Sequence, residues 1–450
     1  MIPQISRLRS FLNTFRFVRD PIGSINDNLA KLGPTYGLYV GGLQPGILTI
    51  QPEVIRQILQ KNHRNYPKSP MHFKKLAYFL GNGLLTSDGE YWLRQRRLIQ
   101  PGFHRQRLAS LTEIMQQTIE KQLNKFEARM AERGEIDIYQ EMMEMAFHVV
   151  AASLFSINIT EEELEELSYS ITTLQEFIVL QIRQPYLEPW FRISGQVRKH
   201  EQLTGRADLI IIRTIQKRLN GQESADDLLQ MLLDARYEDT GERMNEQQLL
   251  DESKIIFVAG HETSANALAW TWYLLANHPE VIAQVREEIT RVLDDRRPTF
   301  ADLPQLTYTT QVIEESMRLY PPAWITDRLT LEADDVEGVH IPAGAMAIPY
   351  IYGAHHNSAI WPDPEVFRPE RFSPENRKKI PAYAYLPFGG GPRLCIGNNF
   401  AIMEMQLILV EMLRRYRFEL IPGQEIEMKA LITLRPYPGI RMRFFDGAML

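Results

Sequence analysis

The sequence predicts one large, mainly α-helical domain with a minor β portion, covering residues 1–450. Three observations carry that expectation. Apolar residues recur at helical spacing along most of the chain. Strand-like runs are few and short. No internal repeat, low-complexity tract or breaker-rich linker divides the 450 residues.

The elements follow in chain order. In the first twenty residues Arg7, Arg9, Arg16 and Arg19 interrupt every apolar run. That excludes a signal peptide or a membrane span there, and no later stretch supplies a span. The segment reads either as a basic amphipathic stretch against a membrane surface or as a helix-like flap laid on the domain. The second is the expectation. A β-richer portion covers about 35–50. Pro52 opens a helix to about residue 61. Asp88 and Gly89 precede a helix that Pro101-Gly102 ends. Helical spacing then covers 106–133, and further helices fill 139–220 around breaks at Pro185 and Pro189. A long helix spans about 245–277 and includes Gly260. Helices at 279–293 and 308–320 follow, the latter stopped by Pro321-Pro322. A second β-richer portion lies at about 327–352, then an irregular stretch at 353–397. A helix at 398–415 and strands within about 417–445 complete the chain.

Composition narrows the class. Hydrophobic residues make up 44% and charged residues 24%, which excludes a mostly disordered chain. The net charge of −6 gives no overall positive field for nucleic acid. One cysteine forbids an internal disulfide and fits a reducing compartment, so a cytoplasmic location is expected.

That cysteine carries most of the chemical information. Cys395 ends the run Pro387-Phe388-Gly389-Gly390-Gly391-Pro392-Arg393-Leu394-Cys395-Ile396-Gly397, just ahead of a helix. Glycines allow tight turns and close approach to a flat partner. A helix N-terminus favours a thiolate, and Arg393 supplies a cation suited to carboxylates. A thiolate so held suits the axial position of a haem iron that cleaves O–O bonds. A lone cysteine can equally be a small buried hydrophobe; the surrounding pattern is what selects the haem reading.

The run Phe388-x-x-Gly391-x-Arg393-x-Cys395-x-Gly397 resembles the haem-binding signature of the cytochrome P450 family, and the other family motifs occur in order along the whole chain. The resemblance implies the P450 fold, with haem b between the long helix and the cysteine-loop helix. It implies Cys395 as iron ligand and Trp92, Arg96, Ala259, Arg328, Phe388, Gly389, Arg393, Gly397 and Ala401 as haem contacts, with Arg96, Arg328 and Arg393 on the propionates. In Ala259-Gly260-His261-Glu262-Thr263 it implies that Glu262 and Thr263 deliver protons for dioxygen activation, while His261 is structural. Gly260 suggests a weakened backbone ladder there; plain helix packing, with Thr263 bonding back to Ala259, is the alternative. Glu315-x-x-Arg318 resembles the family's buried ion pair, joined by Arg371 from Pro369-Glu370-Arg371-Phe372.

Alignment of these motifs gives a candidate substrate pocket of Leu85, Leu174, Phe177, Ile178, Ile255, Ile256, Ala323, Trp324, Ile325, Ile432 and Thr433. Nearly all are apolar, so the expected substrate is a hydrophobic small molecule such as a fatty acid or terpenoid. Core packing explains the same residues equally well. The implied activity is a monooxygenase that inserts one oxygen atom of O2 into a C–H bond. With no flavin domain or Fe–S cysteines in the chain, electrons are expected from a ferredoxin or flavodoxin with its NAD(P)H reductase. Arg94, Arg96, Arg97, Arg105 and Arg107, with Arg377, Lys378 and Lys379, form a candidate docking patch for an acidic donor. A peroxide-driven peroxygenase and a non-catalytic haem sensor are the alternatives; the acid–alcohol pair argues against both.

Overall fold

The computed structural model describes residues 2–70, 72–156, 159–223 and 225–447. Helices dominate and pack around a long central helix, Glu246–Ala276. Its start is fixed by a capping box: the Asn245 side chain accepts from the Gln248 backbone, and Gln248 reaches back to Asn245. Gly260 does not weaken this helix, which runs unbroken. A Cβ there would meet Val150 at 3.0 Å, so glycine instead lets helix Ile138–Phe155 approach closely.

The β portion sits at the edge of the helical body. A four-stranded sheet has the order Thr35–Val40, Gln44–Thr49, Met346–Pro349, Arg328–Leu329, with Ile47 in parallel register against Ala347. Three strands near the C-terminal end pair with one another: Ile136–Asp137, Arg441–Asp446 and Tyr416–Leu420. A hairpin joins Glu427–Ala430 to Leu434–Tyr437. One apolar core fills the helical body and a second lies under the four-stranded sheet. The stretch before the cysteine is irregular, as its Pro and Gly content predicts, with only short 3₁₀ turns.

Two expectations need adjusting. The helix opened by Pro52 is regular only to Arg56 and continues to Lys61 as a wider π turn. The first twenty residues form a true helix, Arg7–Arg19, capped by Ser6 and followed by a second helix, Pro21–Leu32.

Candidate active site

The cysteine loop is built on glycine conformations. Gly389 and Gly391 have φ of 73° and 67°, where L side chains are strained. Gly391 also presses against the backbone of Leu59 and leaves no room for a Cβ. The Cys395 amide donates to the Phe388 carbonyl at 2.9 Å and closes the loop. Helix Asn398–Arg415 then starts at Gly397, which provides no capping side chain. Its first amides therefore stay open. The Cys395 thiol is set deep among protein atoms yet remains accessible, so it opens onto an internal cleft rather than the outer surface. Burial raises its pKa, while the Gly397 amide and the Arg96 charge pull it down.

The central helix shows a matching feature. Its middle is buried except at Ile256, Ala259, Gly260 and Thr263. These lie at i, i+3, i+4 and i+7, a single stripe along one face. The Thr263 hydroxyl donates to the Ala259 carbonyl at 2.8 Å. Glu262 is buried and turned off that stripe. Its carboxylate accepts from the Thr433 hydroxyl, which also accepts from Asn266 at 3.1 Å. On that side Glu262 lines a small pocket with Gln175, Glu176, Ile432 and Arg435. His261 is buried, bonds the Phe257 carbonyl at 3.2 Å and packs against the Phe147 ring, a structural place.

A cluster of cations lies nearby in chain-distant segments. Lys68 donates through Nζ to the carbonyls of Leu84, Leu85 and Ser87 at 2.6–2.9 Å. It is bridged in backbone register to Arg328. Arg393 pairs with Asp88 and lies over the Trp92 ring at 4.1 Å, and its Nη1 has no partner among the described residues. Burial and mutual repulsion lower Lys68 to about 7 and Arg328 to about 10. Asp88 and Glu252 offset only part of this charge. An enclosed surplus of cation calls for an anionic ligand. Together, an accessible buried thiol, a small-residue stripe and this surplus fit a flat, iron-bearing macrocycle with carboxylates on one edge.

The structure redistributes several expected roles. Arg96 does not stand free for a propionate: its Nη1 donates to the Leu394 carbonyl at 2.8 Å and braces the cysteine loop. Arg393 shares its charge with Asp88. Lys68 and Asp88 escaped the sequence reading because neither sits in a chemically marked pattern. Phe388, Gly389, Gly397 and Ala401 are half-buried around the loop and the start of its helix.

The ion-pair residues come together and reach the cysteine loop. Glu315 takes Arg318 at 2.7 and 2.9 Å and Arg371 at 3.2 Å, with Glu315 and Arg318 fully buried. Arg318 also donates to the carbonyls of His355 and Pro364 at 2.9 and 2.8 Å. The His355 ring accepts from the Leu386 amide at 2.8 Å. His355 thus links the ion pair to the residue before Pro387-Phe388, a connection that nothing in its sequence marks.

The candidate pocket divides. Leu174, Phe177 and Ile178 are corrected to core: they are at most 4% exposed, and Phe177 stacks on His200 with ring centroids 3.8 Å apart. Trp324 is also core, its indole bonded to the Leu431 carbonyl at 3.0 Å. Ile255 is buried and packs towards Gly83. Thr433 is buried as the partner of Glu262. Leu85, Ile256, Ala323, Ile325 and Ile432 remain accessible or half-buried. Core and pocket faces are both apolar, so periodicity cannot separate them.

The basic patch is partly neutralised. Arg94 pairs with Asp239 at 3.2 Å, Arg107 with Asp226 at 3.1 Å and Arg377 with Glu314 at 2.6 Å. Arg97 and Lys378 are exposed without an ion pair among the described residues. The Arg105 side chain lies outside the described residues.

A family model described as cytochrome P450 matches residues 3–441. A cyclooctat-9-en-7-ol 5-monooxygenase of Streptomyces melanosporofaciens is 35% identical over 84% of this chain and 81% of its own length. A pentalenene oxygenase of Streptomyces avermitilis is 32% identical over 87% of this chain and 86% of its own. A human ultra-long-chain fatty acid omega-hydroxylase is 30% identical over 90% and 80%.

Proposed function

This chain belongs to the cytochrome P450 family, and from that premise we propose the residues that do its work and the class of compound it oxidises. The family carries haem b on a cysteine thiolate, and this chain is a P450 oxidoreductase using O2 and hydrophobic substrates. When bound, haem supplies the iron at which dioxygen is activated for insertion of one oxygen atom into a C–H bond.

Cys395 is the iron ligand. Arg96 fixes the loop through the Leu394 carbonyl. Lys68, Arg328 and Arg393 hold the propionate edge, and Trp92 supports Arg393 from below. The Ile256–Thr263 stripe lies over the opposite face, where small side chains leave room for substrate. Thr263 presents a hydroxyl beside that space and can exchange its bond to Ala259 for one to a water. Glu262 takes protons from the small pocket beside Arg435 and Glu176 and passes them inward. Leu85, Ile256, Ala323 and Ile325 bury the substrate's hydrocarbon, so position rather than charge selects it. The substrate is a terpenoid-like or fatty-acid-like hydrocarbon, in keeping with the printed names of the relatives. Electrons come from a separate ferredoxin or flavodoxin with its reductase, docked over Arg97 and Lys378.

The observation that carries this reading is the enclosed yet accessible thiol of Cys395. Cys395→Ser should abolish the thiolate-type ferrous carbonyl band and the activity; a variant that kept both would remove Cys395 from the iron. Thr263→Ala should waste reducing equivalents without losing the band. Terpenoid alcohols and fatty acids should shift the ferric Soret band where neither a sugar nor an amino acid does.

A further inference from the structure

The helix Arg7–Arg19 is amphipathic in an inverted sense. Its inner face is held by Ser10, whose hydroxyl accepts from the Tyr39 amide at 3.1 Å. Its outer face carries Leu8, Phe11, Leu12 and Phe15, which are 71%, 49%, 57% and 59% exposed. These positions are three, four and seven apart, so they form one continuous face. Phe11 and Phe15 pack edge to face at 5.7 Å and present a joined aromatic surface to the outside. A second element extends it. Gly42 lies directly against Phe11, and the turn there exposes Leu43 at 83% and Val40 at 36%. Large apolar side chains gathered on two adjoining elements mark an interaction surface.

Charge says what covers it. On the helix circumference Arg7 lies to one side of the apolar face and Arg9 and Arg16 to the other, with Arg19 at its end. Arg7 rests over the Tyr39 ring at 5.0 Å, and Arg16 pairs with Asp27 at 2.6 Å. Among the described residues Arg9 and Arg19 have no ion pair. The protein as a whole carries −6, so this cationic rim stands against the prevailing sign. An apolar face rimmed by arginine matches the boundary between anionic headgroups and acyl chains. Among the described residues no helix is long and apolar enough to cross a bilayer. We propose that helix Arg7–Arg19 and the turn at 40–43 form a docking surface on which the protein lies against an anionic lipid bilayer. Leu8, Phe11, Leu12, Phe15 and Leu43 enter the acyl boundary, and Arg9 and Arg19 meet the headgroup phosphates.

The test uses the haem-loaded protein and sedimentation with vesicles. Vesicles of phosphatidylcholine containing about one-third phosphatidylglycerol should bind it, pure phosphatidylcholine much less, and molar salt should weaken the binding. Leu8→Ser/Leu12→Ser/Phe15→Ser should lower the partition about tenfold or more while the ferrous carbonyl band is unchanged. Arg9→Glu/Arg19→Glu should lower it on anionic vesicles only. Trp190→Ser/Ile193→Ser, on a separate exposed apolar patch, should leave it unchanged. No binding at low salt, or binding that follows Trp190 and Ile193 instead, overturns the proposal. So does a concentration-dependent dimer that the triple substitution dissolves without any vesicle binding, because the face would then belong to a second copy. None of these readouts depends on catalysis.

Discussion

Around Glu315, buried charge closes on itself. One carboxylate serves both Arg318 and Arg371 and also takes the Arg368 amide at 2.9 Å, and the remaining guanidinium donors end on carbonyls. Around Arg328, charge does not close. Lys68, Arg328 and Arg393 crowd together and depress one another, and one Arg393 nitrogen stays unpartnered. Both groups are enclosed and both contain two arginines. The difference is whether the chain supplies the counter-charge itself. A brace supplies it, whereas a binding site withholds it and leaves the ligand to complete the set.

That contrast can be broken by mutation, and the largest effect belongs to the brace. Glu315→Ala strands Arg318 in the core and should cost about 3–5 kcal/mol of unfolding free energy, read by urea denaturation. A loss below about 1 kcal/mol would mean the network is not a brace. Arg328→Met should act with the opposite sign on the haem-free chain. Removing a cation from a crowd of cations should leave its urea midpoint unchanged or raised, while haem transfer to an acceptor protein quickens about tenfold. If the haem-free midpoint falls as far as it does for Glu315→Ala, the two regions are alike and the contrast fails.

Lys68 gives a pH-dependent form of the same comparison. Burial lowers its pKa from 10.5 to about 7. Between those values the unfolded chain holds the extra proton, so the Lys68 contribution to haem-free stability rises with pH and is lowest below about 7. Haem propionates favour the ammonium, so this residue makes haem retention fall across the same interval. Lys68→Arg, charged throughout, should flatten that fall between neutral pH and about pH 9. An unchanged slope would exclude Lys68 from the propionate edge. The smallest effect is at the surface. Arg97→Glu should slow reduction by the redox partner several-fold at low salt, and Arg94→Glu less, because Asp239 already offsets Arg94. Equal effects would show that pairing does not matter there.

Legibility followed distance along the chain. The cysteine loop was readable because its glycines, arginine and thiol lie within eleven consecutive residues. The Glu315–Arg318 pair was readable because i and i+3 share a helix face. The pocket was only half readable: Leu174, Phe177, Ile178 and Trp324 are core, and hydrophobic pattern has no term for which buried face is hollow. Gly260 was readable as an oddity but not in its cause, since Val150 lies on another helix.

The sequence by itself determined the family, the mainly helical architecture and the one sulfur able to hold iron, because each is written in local spacing or in the uniqueness of a residue. Tertiary structure alone decided that Arg96 braces a carbonyl, that Asp88 claims Arg393, that Lys68 joins the cations, and that His355 ties the ion pair to the cysteine loop. The reason is physical. Whether a charge binds a ligand or a neighbour depends on what packs within a few ångströms of it, and those neighbours here come from segments separated by up to 305 residues.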